Sequence, residues 1–474
     1  MINLRSSLLP LLAASLLPAQ TPNPAAVRLN VGAYNSSGEP LKDLKAADFQ
    51  ITDQGKAQKI ALFRGLSTPL DAVPLAAHEI SNRTGARPHA VAIVFDLLNE
   101  NQMDRLDVWH KLGKSLGQLE SGDGVYFYLL TLEGTLAAIH PMGSKAGDDH
   151  TWPQGVEKVL DKAMKAASHA RPTEMGDPEM VAKKTYVALE TLGNQLAMYP
   201  GRRDIVWITN GMPNVWNPKT PCNGDWVDCA LYVPHLAVTL DLTNVAVDPL
   251  SYTSSPSPDM RRDLDQLSGL TGGWTYFGED IRAVLKHVAT ESDSQYTLHY
   301  EPPADNWDSK FHHVHVACER AAGKLHTRDR YYAYPDSKPE AKARAALVAA
   351  YQSSVDDPTI GLRASLTPSA DGKSAHIQLK IDPSDLMLRE ENGHFSGSVT
   401  MVIGKFSASG PVGDPGLMNF NLSFTKEEFE KAVKEGVASP QDQAIDPSIQ
   451  KLRVIVLDPN SVAVGSLTLP LNGK

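Results

Sequence analysis

The chain has 474 residues, 42% of them hydrophobic, and its 45 basic residues against 55 acidic ones leave a formal charge of −10. Binding a nucleic acid requires a basic surface that can displace the counterions of the phosphates, so no nucleic-acid partner is expected. At roughly 100–200 residues per domain, the length predicts two to four domains with real cores.

The first residues combine Arg5, an apolar run from Leu8 to Leu17 and the small-residue exit Leu17-Pro18-Ala19, which reads as a signal peptide over residues 1–19. The run is interrupted by Pro10 and Ser15 and falls short of the about 20 apolar residues that span a bilayer. The expected product is exported, periplasmic or extracellular, with no transmembrane segment after cleavage.

Residues 24–66 read as a small β module. Ala26 to Tyr34 alternates apolar and polar residues, and Phe49-Gln50-Ile51 and Ile60-Ala61-Leu62-Phe63 read as paired strands around Asp53-Gln54-Gly55. Residues 64–88 carry Pro69, Pro74, Gly85 and Pro88 without a clear period and read as a linker.

The rhythm then changes. Val91-Ala92-Ile93-Val94-Phe95 is a continuous apolar run, followed by a helical stretch from about Asp104 to Leu119. Strands at Val125–Leu130, Ile205–Thr209, Val245–Asp248 and Trp274–Phe277 alternate with helices at Val156–Ala167, Glu179–Met198, Asp259–Leu270 and Asp280–Thr290. Such alternation predicts an α/β domain over residues 88–335 with a mostly parallel, doubly wound, Rossmann-like sheet. Ligands of such sheets bind outside the carboxyl ends of the strands.

Tyr296–Tyr300 and Phe311–Cys318 read as strands that either close the edge of this domain or pair with the N-terminal module. A helix from Pro339 to Tyr351 leads into residues 355–474. There Ile360–Leu366, Ala375–Ile381, Ser396–Ile403, Phe420–Phe424 and Leu452–Leu457 predict a C-terminal β-sandwich. Thr425 reads as the N-cap of a helix with acids in its first turn.

Asp96, at the carboxyl end of the first buried strand, is the most informative polar residue. In Val91-Ala92-Ile93-Val94-Phe95-Asp96-Leu97-Leu98-Asn99-Glu100 the chain resembles the von Willebrand factor A (vWA) fold, and in particular the acidobacterial VWFA-related family of exported proteins. Further motifs carry the likeness: Pro200-Gly201-Arg202-Arg203 before Ile205-Val206-Trp207-Ile208-Thr209-Asn210-Gly211, Asn244-Val245-Ala246-Val247-Asp248, Leu270-Thr271-Gly272-Gly273, Gly38-Glu39-Pro40-Leu41 before Asp48-Phe49, and Arg328-Asp329-Arg330-Tyr331-Tyr332. It runs over about residues 26–335.

That resemblance implies a metal-ion-dependent adhesion site, with oxygen ligands from an Asp-x-Ser-x-Ser loop, a Thr and a second Asp around a hard cation such as Mg²⁺ or Mn²⁺. Here Asp96 matches the first ligand. Leu98 and Glu100 stand where the two Ser belong, Asn210 stands where the later Asp belongs, and Thr173 matches the Thr. Asn99 and Glu100 offer replacement oxygens, so the metal set implied is Asp96, Asn99, Glu100 and Asn210. The alternative is that Asp96, Asn99 and Asn210 only satisfy backbone groups at loop starts. With Thr173 and Asp248 these residues form the expected ligand-binding face for a protein or cell-surface ligand.

Cys222 and Cys229 enclose a short loop suited to a disulfide in an oxidising compartment, which leaves Cys318 as a small buried hydrophobe. In His312-His313-Val314-His315, His313 and His315 share one strand face, while His312 and Cys318 share the other. Exposed polar positions on an edge strand are the favoured reading of these histidines over a shared metal ion. No Gly-x-Ser-x-Gly elbow, His-Glu-x-x-His helix, P-loop or Gly-x-Gly-x-x-Gly turn occurs. The expectation is an exported, non-catalytic binding protein, with an unfamiliar hydrolase or an inert envelope component as the rivals.

Overall fold

The computed structural model describes residues 26–84, 89–99, 105–142, 151–169, 178–199, 201–211, 232–321, 324–334 and 339–471. The expected signal peptide lies outside them. Within them the fold is mixed α/β, and no helix is long and apolar enough to cross a membrane.

At the centre is a six-stranded sheet: β1 (Val91–Asp96), β2 (Val125–Leu130), β3 (Leu136–His140), β4 (Arg203–Ile208), β5 (Val245–Ser251) and β6 (Tyr276–Phe277). Its order is β6-β5-β4-β1-β2-β3. Every pair is parallel except β2 with β3. All residues of β1, β4 and β5 are buried, because helices cover both faces. Helices α1 (Arg105–Leu116), α2 (Val156–His169) and α6 (Ile281–Ser292) pack Leu112, Leu160 and Val284 against Ile93, Phe95 and Val206. Across the sheet, α3 (Pro178–Leu196), α4 (Tyr232–Thr243) and α5 (Pro258–Thr271) pack Leu192, Leu240 and Leu267 against Val94, Trp207 and Val247.

Helix α5 stops where the sequence places Gly272-Gly273. Gly272 caps it at φ 76°, a left-handed conformation that costs glycine little. A Cβ on Gly273 would lie 2.0 Å from the Val247 carbonyl oxygen, so only glycine lets the chain pass over β5.

The α/β unit sits inside a second unit rather than after it. Val27–Ala33 pairs with Gln295–Tyr300, which also pairs with Ile60–Arg64. Phe49–Asp53 pairs with Lys56–Gln58 and with Phe311–Cys318. The two sheets enclose one core containing Leu29, Ile51, Tyr296 and Val316. The expected module over 24–66 is therefore half of a β unit whose other half spans 295–332. Phe49–Asp53 and Ile60–Arg64 do not pair, because the chain crosses from one sheet to the other after Gln58.

Residues 64–84 are likewise not a loose connection. Leu70 is buried, and Ile80–Ser81 adds a strand to Leu362–Pro368. Arg83 pairs with Asp71, Asp382 and Asp385. This segment fastens the β unit to the C-terminal region. There, antiparallel strands of two sheets share a core of Leu362, Ile377, Val399 and Val454. Helix α7 (Pro339–Gln352) lays Ala343, Leu347 and Ala350 on the outside of the second sheet. The expected N-cap appears as a capping box: Thr425 Oγ1 accepts from the Glu428 amide at 3.3 Å and Glu428 Oε2 accepts from the Thr425 amide at 2.8 Å, opening α8 (Lys426–Glu435).

Candidate functional site

Reversal of the strand order at β1 defines the site. The chain leaves β1 for β2 on one side and later returns to β4 on the other, so the carboxyl ends of β1 and β4 lie at the switch point where such sheets ordinarily take their ligands. Asp96 ends β1 there and is fully buried. Its Oδ1 accepts the amides of Leu98 and Asn99, both at 3.0 Å. Its Oδ2 accepts Asn99 Nδ2 at 2.6 Å, Trp207 Nε1 at 2.9 Å and Thr209 Oγ1 at 3.3 Å. Burial pushes the carboxyl up to about 6 against the pull of these hydrogen bonds.

Asn99 extends the network. Its Nδ2 also donates to Thr185 Oγ1 at 2.8 Å, and Thr185, fully buried on α3, in turn donates to the Val181 carbonyl at 3.0 Å. Ser251, at the end of β5, donates to Asn210 Oδ1 at 3.1 Å. The polar network at this switch point is thus built from Asp96, Asn99, Thr185, Thr209, Asn210 and Ser251. Asp96, Asn99 and Asn210 were legible in the sequence. Thr185 was the missed threonine; its signal was a polar residue on the apolar face of a predicted helix, beside Ala182 and Leu189. Thr173, Glu100, Cys222 and Cys229 lie outside the described residues.

The described residues do not fit Mg²⁺ or Mn²⁺ at Asp96. A carboxylate presents about four lone-pair sites, and four N–H donors of the chain already address this one, beside the Thr209 hydroxyl, which lies nearer the Gly211 carbonyl at 3.0 Å. Asn99 turns its amide nitrogen, not its oxygen, toward Asp96, and Leu98 has no side-chain oxygen. A hard cation needs those lone pairs. Among the described residues, no group of three or more His, Cys, Asp or Glu side chains is arranged to hold a metal ion.

Asp248 is a second correction. Strand β5 continues beyond it to Ser251, and Asp248 is level with Val206, whereas Asp96 lies one step beyond the Phe95–Ile208 pair. Asp248 also belongs to the opposite face of the sheet, beneath α6. There its Oδ1 accepts the Trp274 amide at 2.8 Å, and it faces Asp204. Asp204 Oδ1 pairs with Arg202 at 3.0 Å and Oδ2 with His89 at 2.6 Å. Arg202 also reaches Glu291 at 3.5 Å, and Trp274, which stacks on His326 at 3.8 Å, donates to Glu291. Burial raises Asp204, but Arg202 and His89 overcome it and hold the carboxyl at about 2. Burial and then the Asp204 charge raise Asp248 well above the usual carboxylate range. Asp248 supports the amino-terminal half of the sheet and takes no part in the loop face.

The histidine strand is not an edge: Phe311–Cys318 lies between Arg330–Tyr332 and Phe49–Asp53. His313 and His315 are exposed, as the alternation requires. His312 is buried between Asp53 Oδ1 at 3.2 Å and Asp308 Oδ1 at 3.0 Å. Tyr300 and Tyr331 hydroxyls donate to Asp53 Oδ2 at 3.1 and 2.8 Å, so the cluster clamps the β unit. Cys318 is buried with a free thiol.

No protein-family model matches the chain, and no curated protein matches it. Among solved structures it is similar to the human COPII-coat protein Sec24c, with 10% identity over 58% of this chain and 53% of that one and a TM-score of 0.27. The chain thus spans about half the length of that structure, and a likeness of this size identifies neither family nor function.

Proposed function

We propose that this is an exported, non-catalytic binding protein that recognises a protein or cell-surface ligand through the loops at the carboxyl ends of β1, β4 and β5. In this reading the central unit is a doubly wound vWA-like domain and the C-terminal region a β-sandwich, with the β unit as the frame that presents the loops. The observation that carries it is the buried polar network around Asp96 at the reversal of strand order, where such sheets take their ligands. That network is polar, buried and joined by hydrogen bonds across three elements, β1, α3 and β4, which fixes the polar groups at this end of the sheet.

Recognition here proceeds without a cation on Asp96, since the carboxylate is committed to the chain. The same commitment argues against Asp96 as a nucleophile or general base: neither oxygen is left to face a substrate.

Cross-linking of the protein to surface and secreted proteins of its own cells, read by mass spectrometry, tests this. Cross-links should concentrate around Asn99, Gly211 and Ser254–Ser255 and vanish in Ser255→Arg, which places a bulky cation on an exposed loop position. Cross-links confined to the β unit or C-terminal region, unchanged in that variant, would overturn the loop-face reading in favour of a structural component. Substrate turnover by the pure protein, lost in Asp96→Asn, would overturn the non-catalytic one.

A further inference from the structure

At the end of the sheet opposite Asp96, a cleft of about 1110 Å³ separates the α/β unit from α7 and the C-terminal region. That is somewhat above the about 300–1000 Å³ typical of ligand pockets. One wall is formed by the ends of α3 and α4 and the start of β4, and the other by α7 from Lys342 to Ser353. Because α7 turns Leu347 and Ala350 onto the C-terminal sheet, the face left for the cleft includes Ala345 and Ala349. Small side chains keep the groove open. One end is closed where Ser353 Oγ donates to the Met198 carbonyl at 2.7 Å.

The other end gathers cations. Arg203 donates to the carbonyls of Thr243 at 2.8 Å and Ala197 at 3.3 Å, and its buried Nε has no acceptor. Arg28 donates to the Asp241 carbonyl, not to its carboxylate. Asp241 Oδ1 is engaged by Arg328 at 2.6 Å. Lys342 shares the field of that same carboxylate with Arg28 and Arg328, while Asp357 is the carboxylate nearest in effect to Arg203. The cleft is thus lined by Arg28, Arg203, Lys342 and Arg344 against Glu190, Asp241 and Asp357, and Asp241 is already engaged by Arg328 from outside it. Burial lowers Arg28, Arg203 and Lys342, as expected where charge lacks a counterion. Glu190, on the α3 side, is occupied by His235 at 3.4 Å and Thr239 at 3.3 Å. The cleft also contains Val462 at φ 57°, a conformation costly for a β-branched residue and concentrated at functional sites.

We infer that this cleft binds a single-chain anionic amphiphile, its acidic head among Arg28, Arg203 and Lys342 and its apolar chain along the alanine face of α7. A buried excess of cations calls for an anion. The groove beyond it, lined by Ala345, Ala349, Leu242 and Val462, offers apolar surface to a chain and little to a compact ion. The site is independent of the loop face, which lies at the other end of the sheet.

Calorimetric titration of the full chain with dodecanoate, dodecanol and inorganic phosphate tests the inference. Dodecanoate should bind with one site per chain, with dodecanol and phosphate each at least about tenfold weaker, since head and chain both contribute. Lys342→Gln should weaken dodecanoate about tenfold, in line with the loss of one charge-assisted contact, and Ala349→Phe should abolish binding by filling the groove. Lys342→Gln removes no hydrogen bond among the described residues, so it serves even where Ala349→Phe fails to fold. No binding of dodecanoate, equal binding of dodecanol, tighter binding of phosphate, or wild-type affinity in a folded Lys342→Gln protein would each overturn it.

Discussion

Two buried acids of the same sheet solve the same problem differently. Asp96, at the carboxyl end, is surrounded by neutral donors and is pushed up to about 6. Asp204, near the amino end of β4, is held by Arg202 and His89 and stays ionised down to about 2. Neutral donors orient a carboxyl group and leave its charge adjustable, whereas an arginine fixes the charge and makes the site depend on that arginine. The end that presents loops has the adjustable arrangement, and the end that anchors the unit to its frame has the fixed one.

The sharpest way to break this comparison is Arg202→Gln. It leaves Asp204 and Glu291 buried without their cation and should cost about 3–5 kcal/mol at pH 7 in urea unfolding. Acidification should recover part of this loss by protonating the orphaned acids. A variant as stable as the wild type would remove the distinction between the two ends. Asp96→Asn should cost less, about 1–3 kcal/mol, since the amide can still accept some of the donors but turns an NH₂ group toward others.

Acid dependence sharpens the contrast further. Asp96 is raised above its ordinary 3.8 to about 6, so between those values the folded state holds a proton that the unfolded state has released. Its contribution to stability therefore increases as pH falls through that window. Asp204 is lowered from 3.8 to about 2, so its contribution is present above 3.8 and lost as pH falls toward 2. Subtracting the Asp96→Asn unfolding curve from that of the wild type should isolate the first effect. A difference flat in pH would refute it. The smallest expected signal is calorimetric: millimolar Mg²⁺ or Mn²⁺ should give no heat beyond dilution in either protein, while a saturable response lost in Asp96→Asn would show that a cation can displace the chain's own donors.

Much of the architecture was legible because burial on both faces writes itself into a strand locally: β1 is an unbroken apolar run up to Asp96, and β4 ends on the apolar run Ile205–Ile208. Asp96 stood out for the same reason, as a charge ending such a run. What stayed hidden depends on distant partners. Half-buried β3 has neither a continuous run nor a clear alternation, and α4 is apolar on too many sides to show a period. His312 looked like one more surface histidine because Asp53, which buries it, is far away in sequence. Asp248 sat at a plausible strand end, and only the pairing through Ser251 shows that the strand continues. Residues 64–84 lacked a period because their ties are of different kinds: Leu70 is buried, Ile80 pairs through its backbone while its side chain stays exposed, and Arg83 is held by carboxylates.

The insertion of the α/β unit within the β unit governs the order in which the protein can be made. Val27–Ala33 and Ile60–Arg64 both wait for Gln295–Tyr300. At the about 5–20 residues per second of synthesis, the first strand stays without that partner for roughly 15–50 s. The inserted unit can collapse in that interval, while the frame cannot close until its last strands emerge. During translation, the earliest segment of the chain is thus among the last to acquire its fold, and throughout that delay it presents an open strand edge to whatever receives the growing polypeptide.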